Sequence, residues 1–207
     1  PIITDGQYGK ISLGKHNSIF IGGIAHELGH ALGLPHNKQR HDQAVRGTAL
    51  MGSGNRTYGE ELRDESRGSF LTLAHGLRLA SHPQFSDSIK GLHEKRDATL
   101  IDLKLDCDGD WLTFSGTATG SPTVYAVVAY FDPGRGADYD ALTATAVPDA
   151  KGHFAIKLDV ENTLNRGEFR VYPIQVNGDA KGINQSTEYN YPYKVNEQGE
   201  FSFTVVP

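Results

Sequence analysis

Cysteine is almost missing from this chain. Cys107 is the single one in 207 residues, so no disulfide can close within the chain and a disulfide-stapled scaffold is excluded. Cys107 itself is expected to be a small buried apolar residue. Long hydrophobic runs are absent too: none approaches the roughly 20 residues of a membrane-crossing helix, so no membrane span is expected. Positive charge is not in excess. Twenty Lys and Arg stand against 25 Asp and Glu, for a net charge of -5; without a basic footprint, nucleic acid is not expected as a partner. The sequence opens at Pro1 with neither an initiator methionine nor a signal peptide, and is expected to be a mature form, a proteolytic product or an expressed piece. Its length allows one large domain or two small ones, and 38% hydrophobic residues fit a globular protein.

Against these absences stands one dense stretch, His26-Glu27-Leu28-Gly29-His30-Ala31-Leu32-Gly33-Leu34-Pro35-His36. On a helix, residues four apart lie one above the other, so His26 and His30 face the same ion. Imidazole is a favoured zinc donor, and a catalytic zinc site takes three protein ligands while keeping one position open. Gly33 lets the chain turn sharply after the helix, because glycine adopts positive φ at little cost. Pro35 stiffens the exit and presents His36 as the third ligand. Glu27 stands beside the first ligand, close enough to act on a water at the metal without being a ligand. Ile21, Ile24, Leu28 and Leu32 are expected to form the core-facing side of this helix. Asn17 or Ser18 is its expected cap, and Gly22 and Gly23 weaken its first turn.

The H-E-x-x-H-x-x-G-x-x-H pattern resembles that of the metzincin zinc endopeptidases. Ala49-Leu50-Met51-Gly52-Ser53-Gly54 adds to the resemblance: Met51, the only methionine, falls where the family carries a methionine turn beneath the zinc ligands. The resemblance implies one catalytic zinc on His26, His30 and His36, with Glu27 as general base and then general acid. It implies Met51 as the floor of the site, protein or peptide substrates, and a secreted or cell-surface location. It also implies a long region ahead of the helix, forming the upper half of the cleft. Only 25 residues precede His26, so that half is expected to have been cut away or much reduced. In some subfamilies a tyrosine two residues after the methionine stabilises the oxyanion. Here that position is Ser53; Tyr58, further on, is the candidate in its place, set against a plain packing role. Asn37, following the third ligand, assigns no subfamily.

Further along, Lys10-Ile11-Ser12-Leu13-Gly14 reads as a short strand at the cleft rim. The charge run from Glu60 to Arg67 reads as a solvated loop. Phe70, Leu71, Leu73, Ala74, Leu77 and Ala80 recur at helical spacing, with Thr72 or Ser69 as cap and Pro83 beyond the end. His16, His41, His75, His82 and His93 are expected to be structural or exposed, His41 being the one to watch as a fourth ligand. Lys90 to Asp97 reads as a linker. After it the period changes to two. Leu100–Leu105, Trp111–Thr117, Val124–Phe131, His153–Val160, Glu168–Val176 and Glu200–Val206 alternate as strands, separated by Asp-Gly, Pro-Gly, Lys-Gly and Asn-Gly turns. Tyr189, Tyr191 and Tyr193 would share one strand face, packing in a sheet or stacking on glycan. Asp106-Cys107-Asp108-Gly109-Asp110 and the acidic stretch Asp132 to Asp140 are candidates for Ca2+, with a plain hairpin turn favoured for the first.

The fold expected is α+β: a zincin-like lower subdomain of helix and loop over residues 1–95, then an all-β immunoglobulin-like sandwich over 96–207. The function expected is zinc-dependent hydrolysis of peptide bonds in extracellular proteins. The alternative is a surface binding or adhesion module with a structural or inactive zinc site, which a fourth protein ligand would mark.

Overall fold

Helix α1, Leu13–Ala31, carries two of the motif histidines. Ser12 caps it, its hydroxyl accepting from the Lys15 N–H at 3.0 Å, so the helix starts a full turn before the expected Asn17 or Ser18. The computed structural model describes residues 1–86, 97–134, 138–160, 166–177 and 187–204; the expected linker lies outside them except for Asp97, as does the end of the expected last strand. Ahead of α1, strands β1 (Ile2–Asp5) and β2 (Gly9–Ser12) form an antiparallel hairpin.

The apolar stripe of α1 is not where periodicity placed it. The helix buries Ile19, Gly22, His26 and Gly29, whereas Ile21, Ile24 and Leu28 are 53%, 70% and 56% exposed. The reason is close approach. A side chain at Gly22 would overlap the Asn55 carbonyl and Tyr58, and one at Gly29 would overlap Met51 Sδ. The chain after the motif therefore packs on the histidine face, which needs small residues there.

That chain runs through short 3-10 turns at His41–Arg46, Ser53–Arg56 and Glu61–Arg63, and through β3 (Thr48–Ala49) paired in parallel with β4 (Ser69–Phe70). The charge run is largely exposed, as expected of a solvated segment, but it is pinned at two points. Glu60 is buried and pairs with Lys15 at 2.9 Å, and Arg63 Nη1 donates to Ser18 Oγ at 2.9 Å while its Nε pairs with Glu65. These contacts fasten the run to the start of α1. Helix α2, Leu73–Ala80, follows from Thr72.

The remaining strands are β5 (Thr99–Asp108), β6 (Trp111–Thr119), β7 (Val124–Asp132), β8 (Leu142–Ala146), β9 (His153–Asp159), β10 (Arg166–Gln175), β11 (Asn190–Val195) and β12 (Phe201–Phe203). They form an antiparallel five-stranded sheet, ordered β12-β11-β10-β7-β8, and a three-stranded sheet, β5-β6-β9. The whole is mixed α+β, with mostly strands and few helices. Strand β7 does not alternate apolar and polar as expected. Val127, Ala129 and Phe131 enter the core between the sheets, while Ala126, Val128 and Tyr130 enter a second core with Ala74 and Ile174. Burial on both faces demands a nearly continuous apolar strand. Tyr189, Tyr191 and Tyr193 are buried against the main core, which rules out an exposed stacking platform. Cys107 is half-buried at the edge of that core, and burial pushes its thiol pKa up.

Candidate metal centre

The turn after α1 is built by Gly33, at φ 83°, and locked by backbone bonds from Gly33 N to His30 O and from Leu34 N to Gly29 O. A residue with a Cβ is strained at that φ, so glycine is what swings Leu34, Pro35 and His36 back toward the helix. Leu34 and Pro35 are buried, which fixes the exit.

The result is a convergence of imidazoles. His30 Nε2 lies 3.1 Å from His26 Nε2 and 3.0 Å from His36 Nε2. Zn–N bonds of about 2.0–2.1 Å in a tetrahedron place neighbouring donor nitrogens about 3.3–3.4 Å apart. Three nitrogens gathered this way on one side fit a metal better than they fit one another, since neutral imidazoles offer only one proton each. The far nitrogens are committed to carbonyls, His26 Nδ1 to Leu50 O at 2.8 Å and His30 Nδ1 to Leu34 O at 2.9 Å. Those acceptors hold the Nδ1–H tautomer and leave Nε2 a free donor pair for the ion. Among the described residues, this is the one group of His, Cys, Asp or Glu gathered tightly enough to hold a metal. Glu27, on the next position of α1, is exposed beside it.

Beneath the histidines lies Met51, fully buried, with its sulfur against Gly29. The same turn supplies Leu50 O to His26 and Met51 O to the Asn37 N–H at 3.3 Å. Asn37 is itself buried and donates from Nδ2 to Thr72 Oγ1 at 2.8 Å. This contact uses the Thr72 hydroxyl, which makes no side-chain cap to α2.

Of the other candidates, Tyr58 is half-buried and packs beside Gly22, one turn of α1 before His26. Ser53 is exposed at the start of its 3-10 turn. His41 is exposed and stands outside the histidine cluster. His16 lies near Asp5 and against Phe20, and His82 against Phe85; His93 lies outside the described residues. The acidic tip Asp106 to Asp110 is the β5–β6 hairpin, with Gly109 at φ 56°.

Two further residues lie near the histidines: Tyr139, which the sequence did not single out, and His75, which it read as structural or exposed. Tyr139, on the loop between β7 and β8, stacks on the His36 ring with centroids 3.7 Å apart and planes 25° apart. It is held there from both sides. Ala141 O accepts from the Lys38 N–H at 2.7 Å, and Asp138, at the strained φ of 70°, pairs with Arg170 at 3.0 Å. Arg170 also pairs with Asp132 at 3.4 Å and Glu168 at 3.2 Å. The second residue is His75 of α2, fully buried, with neither ring nitrogen hydrogen-bonded among the described residues. Burial, with Arg78, His30 and His36 nearby, pushes its pKa down to about 3.

Burial and the neighbouring Asp138 carboxyl push the Asp132 pKa up to about 7. Burial would also raise that of Asp138, but the shared hydrogen bond with Asp132 and the Arg170 charge outweigh it and hold this carboxyl below the usual range. Asp132 and Asp138, of the acidic stretch weighed for calcium, are thus gathered on the Arg170 guanidinium.

What fold and site define together is a mixed α+β protein with three histidines gathered as a metal ion could be held, and Glu27 exposed at the next position of the helix after His26. No protein-family model matches the chain, and no curated protein does. Solved structures do. Wild-type OgpA from Akkermansia muciniphila is similar in its tetragonal crystal form, with 30% identity and a TM-score of 0.64, and in its orthorhombic form, with 30% and 0.70. Catalytically inactive OgpA in complex with an O-glycopeptide (glycodrosocin) substrate is 28% identical, with a TM-score of 0.63. Each match covers 92% of this chain, and 49%, 52% and 49% of the respective OgpA chain. The chain therefore spans about half the length of OgpA.

Proposed function

We propose that this chain carries the catalytic centre of a zinc-dependent endopeptidase of metzincin type that acts on glycopeptides outside the cell. The convergence of His26, His30 and His36 Nε2 atoms, with Glu27 exposed beside them, carries the reading. The likeness to OgpA, solved with an O-glycopeptide substrate, supports the substrate class. The domain plan proposed is a zincin-like part over 1–95 and an immunoglobulin-like sandwich over 96–207.

His26, His30 and His36 would hold the zinc. When bound, the ion supplies Lewis acidity, lowering the pKa of water and polarising a carbonyl oxygen. The Glu27 carboxylate accepts the proton of the attacking water and returns it to the leaving amine as the C–N bond breaks. Leu50 O and Leu34 O keep His26 and His30 in the required tautomer. Tyr139 fixes the His36 ring by stacking, and its phenol is assigned the oxyanion role considered for Tyr58. Met51 shapes the floor without chemistry.

Glu27→Ala is expected to keep about one zinc per chain and to lose hydrolysis of a fluorogenic O-glycopeptide by about a thousandfold or more. Zinc content by mass spectrometry and turnover check it together. Undiminished turnover would remove the mechanism. A structural zinc site calls for a fourth protein ligand; the described residues gather three.

A further inference from the structure

A groove of about 820 Å³ begins at Lys38, two residues along the chain from His36. One wall is the chain from Lys38 to Arg46; the other is the sandwich, where β8 and β9 are edge strands, with Trp111 of β6 beside them. Its lining is mostly hydrogen-bonding side chains: amides at Gln39 and Gln43, hydroxyls at Thr143 and Thr145. Among the large apolar groups stands Trp111, 45% exposed, its indole covered on one side by the Lys157 ammonium at 4.4 Å.

The charges in this groove do not cancel. Asp42 is taken by Arg40, which grips both its oxygens at 2.9 and 2.8 Å and also donates to Thr143 O at 2.6 Å. Lys38, Arg46 and Lys157 are exposed and have no ion-pair partner among the described residues. The first turn of α2 adds to the positive potential, since its N-terminal N–H groups meet no side-chain cap. In a chain of net charge -5, a groove lined by Lys38, Arg40, Arg46 and Lys157 against Asp42 and Asp159 keeps a positive excess and forms a local exception.

We infer that this groove binds an anionic saccharide, a sugar bearing a carboxylate or a sulfate ester, carried on the glycan of the substrate. A ring of hydroxyl and amide groups with one exposed indole suits a sugar, whose faces are apolar and whose rim is all hydroxyls. The free cations suit its charge, because hydrogen bonds to an ionised group are about twice as strong as neutral ones. The role as a substrate subsite rests on the peptidase reading above; the ligand chemistry does not.

Trp111 is the only tryptophan, so its fluorescence reports on this groove alone. The full chain carrying Glu27→Ala and loaded with zinc is titrated with lactose, sialyllactose, sulfated lactose and a tetraglutamate peptide. Sialyllactose, sulfated lactose or both should shift the Trp111 emission and bind at least about tenfold more tightly than lactose. Which of the two responds identifies carboxylate or sulfate as the source. The preference should fall as salt rises from about 0.05 to about 0.5 M. Arg46→Gln and Lys157→Gln, both on exposed side chains, should each reduce it while leaving the lactose response in place. Equal binding of lactose, equal binding of tetraglutamate, or an unresponsive Trp111 would overturn the assignment. Binding here needs no hydrolysis. A chain that binds acidic sugars but never cleaves leaves the groove standing and ends the peptidase reading; one that cleaves glycopeptides with a silent groove does the reverse.

Discussion

Tyr139 reaches the histidines from the far side of the β7 strand, and its two parts can be tested separately. Tyr139→Phe keeps the ring on His36 and removes the hydroxyl. Zinc affinity should hold while kcat falls about a hundredfold, the scale of a lost oxyanion donor. Tyr139→Ala removes the stack as well, and zinc affinity should then drop about tenfold, as for other outer-shell supports. Tyr58→Phe should leave both within about twofold; a reversed pattern of kcat would return the role to Tyr58. His75 allows a second residue-level test. Its pKa is pushed down to about 3 from 6.5 by burial, so between those values the unfolded chain takes up a proton that the folded one refuses. Stability therefore falls as pH drops below 6.5, by about 2 kcal/mol between pH 6.5 and 5. His75→Leu should remove that share of the decline, seen as a flatter dependence of the urea midpoint on pH; a decline of equal steepness would contradict the burial argument. At this scale the sequence was readable wherever spacing along one helix determines geometry, as for His26, Glu27 and His30. Tyr139 gave no such signal, and His75 was readable only as structural or exposed, because what defines both is contact with residues remote in the chain.

Elements were legible as far as they bury one face only. Strand β9 alternates visibly, and so does β6, because one side of each meets the core and the other is more open. Strand β8, Leu142–Ala146, was not anticipated: its Leu-Thr-Ala-Thr-Ala carries little contrast, and it sits at a sheet edge. The apolar residues of α1 misled for the opposite reason. They are real, but Phe20, Ile21, Ile24 and Leu28 lie exposed. The β7–β8 loop gives a prediction of its own. Asp132 keeps its proton in the folded state up to about pH 7, through burial and the Asp138 carboxyl beside it, whereas in the unfolded chain it ionises near 3.8. Its contribution is full below the unfolded value and is lost as pH rises to the folded one. Asp132→Asn imitates the protonated carboxyl. It should gain on the parent by about 2–3 kcal/mol between pH 5 and 7 and hold level above that, as read from urea midpoints across the range. A gap that does not change with pH would mean that the loop holds no such proton.

At the scale of the whole molecule, contacts cross the point where the sequence pattern changes. The change of period near residue 96 is genuine, since every described helix precedes it, with four short strands, and only strands follow among the described residues, yet contacts tie the two sides together. Ala74 shares a core with Ala126, Val128, Tyr130 and Ile174, and Arg78 Nη1 donates to the Tyr130 hydroxyl at 3.3 Å. The Tyr125 hydroxyl bonds to Leu77 O, and Lys38 bridges to Leu142. Tyr139 then closes on His36 from the sandwich side. No motif announces these contacts, because each half alone satisfies its own local pattern. Their consequence can be measured by producing residues 1–95 and 96–207 as separate pieces. The second should fold, since its larger core between the sheets is its own, though it would expose the outer face of β7. The first would lose the cover over α2 and the stack on His36. It should melt without a cooperative transition and bind zinc at least about tenfold more weakly than the intact chain. Mixing the pieces should restore part of both. If residues 1–95 melt cooperatively and hold zinc as tightly as the whole, the sandwich is an appendage. If they do not, β7 and its loop are structural parts of the metal centre, and the site belongs to the fold of the entire chain.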